Sequence, residues 1–248
     1  MAAISHIEWT NATWNPVTGC TKISEGCENC YTAVMARRLQ AMGNPKYRNG
    51  FKVTTHECAL EIPLHWKKPR LVFVNSMSDL FHQEVPFEFV NKVFKIMAQT
   101  KQHAYQVLTK RPERLVEIFN KLEVTPNIWI GVTVESNRHY DRIDSIRRIR
   151  PEIRFVSFEP LLTDVNDVNL SDIDWAIVGG ESGPGSRPIK NEWVTAIREK
   201  CHKRNIPFFF KQWGGVNKKA KGRVLDGRLW EEMPTVSSEF FSQNYNQL

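Results

Sequence analysis

Three cysteines fall within eleven residues in "GCTKISEGCENCY" (19–31), spaced C-x6-C-x2-C. Thiolates gathered this densely hold soft metals, and their number separates the candidates. A structural zinc takes four ligands, most often from two C-x2-C pairs. Only one such pair is present, so His6, His56 or Cys58 would have to complete a zinc site. A four-iron, four-sulfur cluster can be held by three thiolates, with one iron left open for a small ligand. Cys20, Cys27 and Cys30 supply those three, Gly19 and Gly26 let the backbone pass close to the cluster, and Tyr31 is placed to shield it from water. The spacing therefore predicts a [4Fe-4S] cluster, with zinc as the alternative. Cys58 and Cys201 stand alone and read as small packing residues.

Such a centre needs a scaffold that holds it against a cavity. After the cysteines, short apolar runs with polar ends alternate with helical patterns: "LVFVNSMSDLF" (71–81), "AYQVLTKRP" (104–112), "IWIGVTVES" (128–136), "RFVSFEPLL" (154–162), "DWAIVGGESG" (174–183) and "IPFFFKQWGG" (206–215). A further strand is expected near 13–17. Helical periodicity is clear in "PFEFVNKVFKIMAQ" (86–99), where Phe89, Val90, Val93, Phe94 and Met97 share a face behind Pro86. It recurs at 112–122, 137–149 and 191–204. Strands buried on both faces and separated by helices imply parallel pairing through right-handed crossovers. The predicted fold is α/β, a full or incomplete (β/α) TIM-type barrel over residues 1–215. Residues 216–248 form a short extension packed on it.

In parallel α/β folds, ligands bind at the carboxyl ends of the strands. Those ends are polar here: Asn75, Ser76, Ser78 and Asp79; Thr109, Lys110 and Arg111; Thr133 and Glu135; Ser157 and Glu159; Gly179, Gly180, Glu181 and Ser182; Lys211, Gln212 and Trp213. Any one of these could be a helix cap or a rim ion pair. Their recurrence at every strand end predicts a polar cavity facing the cysteine loop.

With 34 lysines and arginines against 27 acidic residues, the chain carries a formal charge of +7, which favours polyanionic partners. Basic residues concentrate at 65–70, 138–150 and 217–223. No apolar run approaches the roughly 20 residues that cross a bilayer. The opening residues also lack the layout of a secretory signal. No membrane association and a cytoplasmic location are the expectations.

The cysteine motif, ending C-x2-C-aromatic on the first loop of a parallel barrel, resembles the cluster motif of the radical S-adenosylmethionine (radical SAM) superfamily. It has three more residues between the first two cysteines than the common C-x3-C-x2-C form. The blocks "WNPVTGC…GCENCY", "FVNSMSDLFH", "VLTKRPER", "FVSFEPLL", "IVGGESGPGSRP" and "PFFFKQWGG" together resemble a radical SAM-like phage and bacterial family.

The resemblance implies a cofactor, S-adenosylmethionine, chelated to the open iron. It also implies an external electron donor and release of a 5′-deoxyadenosyl radical that abstracts hydrogen from substrate. On that reading Asn75, Ser76 and Ser78 would donate to the ribose or methionine carboxylate. Lys110 or Arg111 would neutralise a carboxylate or phosphate, and Glu159 or Lys211 would contact cofactor or substrate. Gly179 and Gly180 would permit close backbone approach, and Glu181 would accept from an ammonium or a ribose hydroxyl. "GGES" (179–182) resembles the superfamily's Gly-Gly-Glu stretch but follows a late strand rather than an early one. The basic balance, with Trp213 beside Lys211 for stacking, points to DNA or another nucleic acid, or a nucleotide-derived substrate, with DNA repair or modification as the analogue. The alternatives are an iron-sulfur protein that binds nucleic acid or senses redox state without radical chemistry, and a zinc-stabilised phage accessory protein.

Overall fold

Apolar runs too short for helices become strands, and here they pair in the order in which they occur. The computed structural model describes residues 3–5, 7–217 and 221–235. In chain order the elements are β1 (Ala3–Ile4), β2 (Ala12–Trp14), β3 (Val17–Thr18), α1 (Tyr31–Ala41), β4 (Thr54–Thr55), β5 (Leu71–Val74), α2 (Phe87–Gln99), β6 (Ala104–Thr109), α3 (Pro112–Ile118), β7 (Ile128–Thr133), α4 (Asp141–Arg147), β8 (Arg154–Phe158), β9 (Trp175–Gly179), α5 (Asn191–Lys203) and β10 (Phe208–Gln212). One sheet has the order β1-β2-β5-β6-β7-β8-β9-β10. Its seven strands from β2 onward are parallel, and β1 joins β2 antiparallel. β3 and β4 form a separate antiparallel pair.

Alternation along each strand sorts the side chains into two cores. Val72, Val107, Ile130, Val156, Val178 and Phe210 point outward and pack under the helices, against residues such as Val93, Phe94, Ile146 and Ile197. Leu71, Ala104, Trp129, Phe155, Trp175 and Phe209 point the other way and meet one another and Trp9 in a second cluster. Side chains from six strands can converge on one face only if the sheet curls. Among the described residues β10 does not pair back to β2, so the barrel is the incomplete form. Each fully buried aliphatic or aromatic side chain stabilises this arrangement by about 1.5–3 kcal/mol.

α2 matches its expected span, with Pro86 at the N-cap and all five anticipated residues buried. α3 gives way to a 3-10 turn at Phe119–Lys121, and α4 is shorter than its pattern because 137–139 form a 3-10 turn. The helix α1 has no counterpart in the sequence pattern. It buries only Thr32 and Ala36, so no apolar stripe announces it.

In the expected C-terminal extension, Trp230 and Glu232 bond the backbone of β10 at Phe210 and Phe208. Residues 218–220 and 236–248, including part of the basic stretch at 217–223, lie outside the described residues. No helix among the described residues is long and apolar enough to cross a membrane.

Candidate metal centre at the barrel mouth

The loop that follows β2 is shaped by local chemistry. Pro16 lacks an amide donor and closes the strand, and Gly19 turns the chain with φ of 83°. A 3-10 turn runs from Glu25 to Cys27, and Cys30 occupies the N-cap of α1. Cys20, Cys27 and Cys30 are free thiols, each partly buried. All three line one cavity of about 250 Å³ that opens at the carboxyl ends of the strands.

The same cavity is lined by Asn75, Ser76, Ser78, Lys110, Glu159, Gly180, Glu181 and Lys211. The strand-end residues thus converge with the thiols, with two refinements. Gly179 lies beneath the wall: a β-carbon there would stand 2.6 Å from Glu159 Oε1, so its bare backbone makes room for that carboxylate. Trp213 does not line the cavity. It packs on Phe210 with ring centroids 4.8 Å apart and donates to the Val224 carbonyl at 2.8 Å.

The cysteine loop is fastened to the rim by carboxylates. Glu135, just past β7 and fully buried, pairs with Lys110 and with Arg142 at 2.6 Å and accepts from Ser24 at 2.5 Å. Glu25 accepts from Ser136 and bonds His139 at 2.8 Å. Glu181 accepts from Asn29 at 3.1 Å and from the Arg187 guanidinium at 2.6 and 2.9 Å. Arg187 also donates to the Glu25 carbonyl at 2.8 Å. Glu181 is therefore already committed to holding the loop. Glu135 is visible as a strand-end carboxylate, whereas Arg142, Arg187 and Asn29, although they lie in the basic stretch 138–150 and in the blocks "IVGGESGPGSRP" and "GCENCY", receive no role from the sequence and are identified by their partners.

Charge within the site is closely matched. Arg111 pairs with Asp79 at 3.1 Å and donates to Cys20 Sγ at 3.5 Å. Burial, reinforced by Asp79, pushes the Cys20 thiol up despite that arginine. Burial would also raise Cys27, but the Lys110 charge together with hydrogen bonds at Ile23 and Ser24 brings it below the usual thiol range. On the inner wall Glu159 pairs with Lys211 at 3.0 Å and accepts from Ser157 at 3.0 Å. Burial disfavours the charged Lys211, yet Glu159 and then Tyr31 hold its pKa above the ordinary value.

Three thiols line the cavity without a fourth, the number that would hold a four-iron cluster, whereas a zinc would need one more ligand. A zinc draws four donors to about 2.0–2.3 Å from one point. Among the described residues no three His, Cys, Asp or Glu side chains converge in that way. His56 bonds Thr18 at 2.8 Å and Cys58 is exposed; neither lines the cavity. His6 lies outside the described residues. Three thiols on one wall, with cations behind two of them, suit an anionic iron-sulfur cube whose own width spaces its ligands.

The fold is shared with solved structures. Spore photoproduct lyase complexed with dinucleoside spore photoproduct superposes with a TM-score of 0.51 at 10% sequence identity, covering 82% of this chain and 64% of that chain. A point mutant of spore photoproduct lyase gives 0.50 with the same identity and coverage. This chain therefore spans less than two thirds of the lyase's length. No curated protein matches the chain in sequence. The family described as "Protein of unknown function (DUF5131)" matches residues 4–234, nearly the whole chain, and the protein belongs to that family.

Proposed function

We propose that the protein is a radical SAM-type iron-sulfur enzyme acting on a nucleic acid or a nucleotide-derived substrate. One observation carries the reading: three thiols without a fourth share the cavity at the mouth of a half-barrel. The fold likeness to a lyase complexed with a dinucleoside photoproduct supports both the class of chemistry and the class of substrate. When bound, a [4Fe-4S] cluster with S-adenosylmethionine supplies hydrogen abstraction, driven by one electron from an external donor.

The chain's own residues have distinct tasks on this reading. Cys20, Cys27 and Cys30 hold the cluster. Trp9, Phe73 and Leu108 line the inner part of the cavity and exclude water. Asn75 keeps a side-chain amide group without a partner among the described residues, whereas Ser76 and Ser78 already donate to Asn15 Oδ1 at 3.1 Å and to the Val17 carbonyl at 2.9 Å and so can only accept; Glu159 with Lys211 presents a fixed charge pair. Lys110, Arg111 and Glu181 act through the loop, because each is held in an ion pair.

Anaerobic reconstitution tests the proposal. Wild-type protein should gain visible absorbance and about four irons per chain. Its reduced electron paramagnetic resonance spectrum should change on adding S-adenosylmethionine, and 5′-deoxyadenosine should form. Cys27→Ala should lose the cluster. Cys201→Ala should keep it, since that thiol is buried in the outer core with its pKa pushed up to about 12. An unchanged spectrum and no 5′-deoxyadenosine would leave a cluster-bearing binding protein; tetrahedral zinc would remove the cluster itself.

A further inference from the structure

We propose that α1 and the turn returning from it, residues 31–56, form a docking surface for the sugar-phosphate backbone of a nucleic acid presented to the cavity. The inference rests on the substrate class proposed above and assigns it a surface. Residues 29–56 contain five of the chain's lysines and arginines and none of its 27 acidic residues. They carry five of the seven net charges of the whole protein. Lys46 spends its ammonium on the Asn15 carbonyl at 2.7 Å. Arg37, Arg38, Arg48 and Lys52 are exposed, and among the described residues none of their side chains is in an ion pair or hydrogen bond.

Several of the other basic groups are spent or misplaced, although Arg138, Arg148, Arg150 and Lys221 are also exposed, and Lys218 and Lys219 lie outside the described residues. Lys110, Arg111, Arg187 and Lys211 at the mouth are neutralised by carboxylates. The stretch at 65–70 precedes β5 and so lies at the opposite end of the strands. Arg142 and Arg147, within the stretch at 138–150, pair with Glu135 and Asp144.

Both ends of the acid-free segment reach the cavity mouth. Tyr31 lines the cavity, donates to the Ser76 carbonyl at 3.1 Å and leaves 53% of its surface exposed, a ring open to stacking. At the far end the Cys20 amide donates to the Phe51 carbonyl at 3.3 Å, one residue before Lys52. From Tyr31 to the C-cap Met42 the exposed apolar residues are Tyr31, Val34, Met35 and Met42, and the exposed Arg37 and Arg38 stand among them. A helix lying in a bilayer surface presents an unbroken apolar face. Separated cations beside an exposed aromatic ring suit phosphates and bases.

The test uses reconstituted protein and a fluorescently labelled single-stranded oligonucleotide, with anisotropy measured across a salt series. Replacing Arg37, Arg38, Arg48 and Lys52 together by Gln should weaken binding about tenfold or more. It should also flatten the log–log salt slope by up to about 0.7 per cation removed. Arg38→Glu alone should give a smaller loss in the same direction. Lys67→Gln/Lys68→Gln, at the other end of the strands, should change neither quantity. Circular dichroism and cluster absorbance should stay at wild-type values in every variant. Unchanged affinity and slope in the fourfold variant would overturn the proposal. So would wild-type protein that binds phosphatidylserine vesicles and not the oligonucleotide. Failure of the radical reading would show separately, as absent 5′-deoxyadenosine with oligonucleotide binding intact.

Discussion

A β-carbon built on Gly26 would stand 2.4 Å from Cγ of Glu135. The cysteine loop therefore rests backbone-to-side-chain on a carboxylate that is itself fixed by Lys110 and Arg142. Contact this close leaves no room for even a methyl group, and Glu135 cannot swing away without leaving Arg142 buried and unpaired.

Gly26→Ala should accordingly push the loop off the rim while sparing the strands. After anaerobic reconstitution the iron-to-protein ratio should fall by about half or more, with the far-ultraviolet circular dichroism unchanged. Wild-type iron content in this variant would show that the loop position does not depend on the contact.

A second expectation concerns acid. Burial would raise the pKa of Glu25, but hydrogen bonds from Ser136 and His139 pull it from 4.5 down to about 2. A carboxylate depressed by folding adds stability that is complete above its unfolded pKa and is lost as pH falls through the folded value. Wild-type protein should therefore lose stability between about pH 4.5 and pH 2 partly through this group. Glu25→Gln should be less stable at neutral pH and show a flatter decline over that window in urea unfolding. Parallel curves for the two proteins would contradict it.

The Glu159–Lys211 pair makes a third prediction. Both side chains are largely buried, at 14% and 19% exposure, so removing one strands the other in a poorly solvated wall. Lys211→Met should cost about 3 kcal/mol in urea unfolding, and Lys211→Met/Glu159→Gln should recover most of it. Additive losses in the double variant would mean that the two groups do not depend on each other.

Much of this architecture was legible in the chain. Continuous runs such as Ile128–Thr133 are buried on both faces, and that is why they stand out without alternation. The three cysteines were legible because their number and spacing are chemically restrictive. The support behind them was not. Arg187 and Glu181 are six residues apart, but Arg187 also reaches Glu28 and the Glu25 carbonyl, some 160 residues away in the chain. Such pairings depend on curvature of the sheet, which no local pattern encodes. Trp213 illustrates the opposite error: its place just after β10 suggested the cavity, but Phe210 and the Val224 carbonyl draw it outward.

An unclosed sheet normally exposes a row of unsatisfied amides and carbonyls that can recruit another copy of the same chain. Here the two margins are protected differently. β1 is only two residues long, and Trp230 to Glu232 cap β10 with irregular backbone held at 2.9 and 3.2 Å. Among the described residues the half-barrel thus offers no long flat template for strand-by-strand stacking.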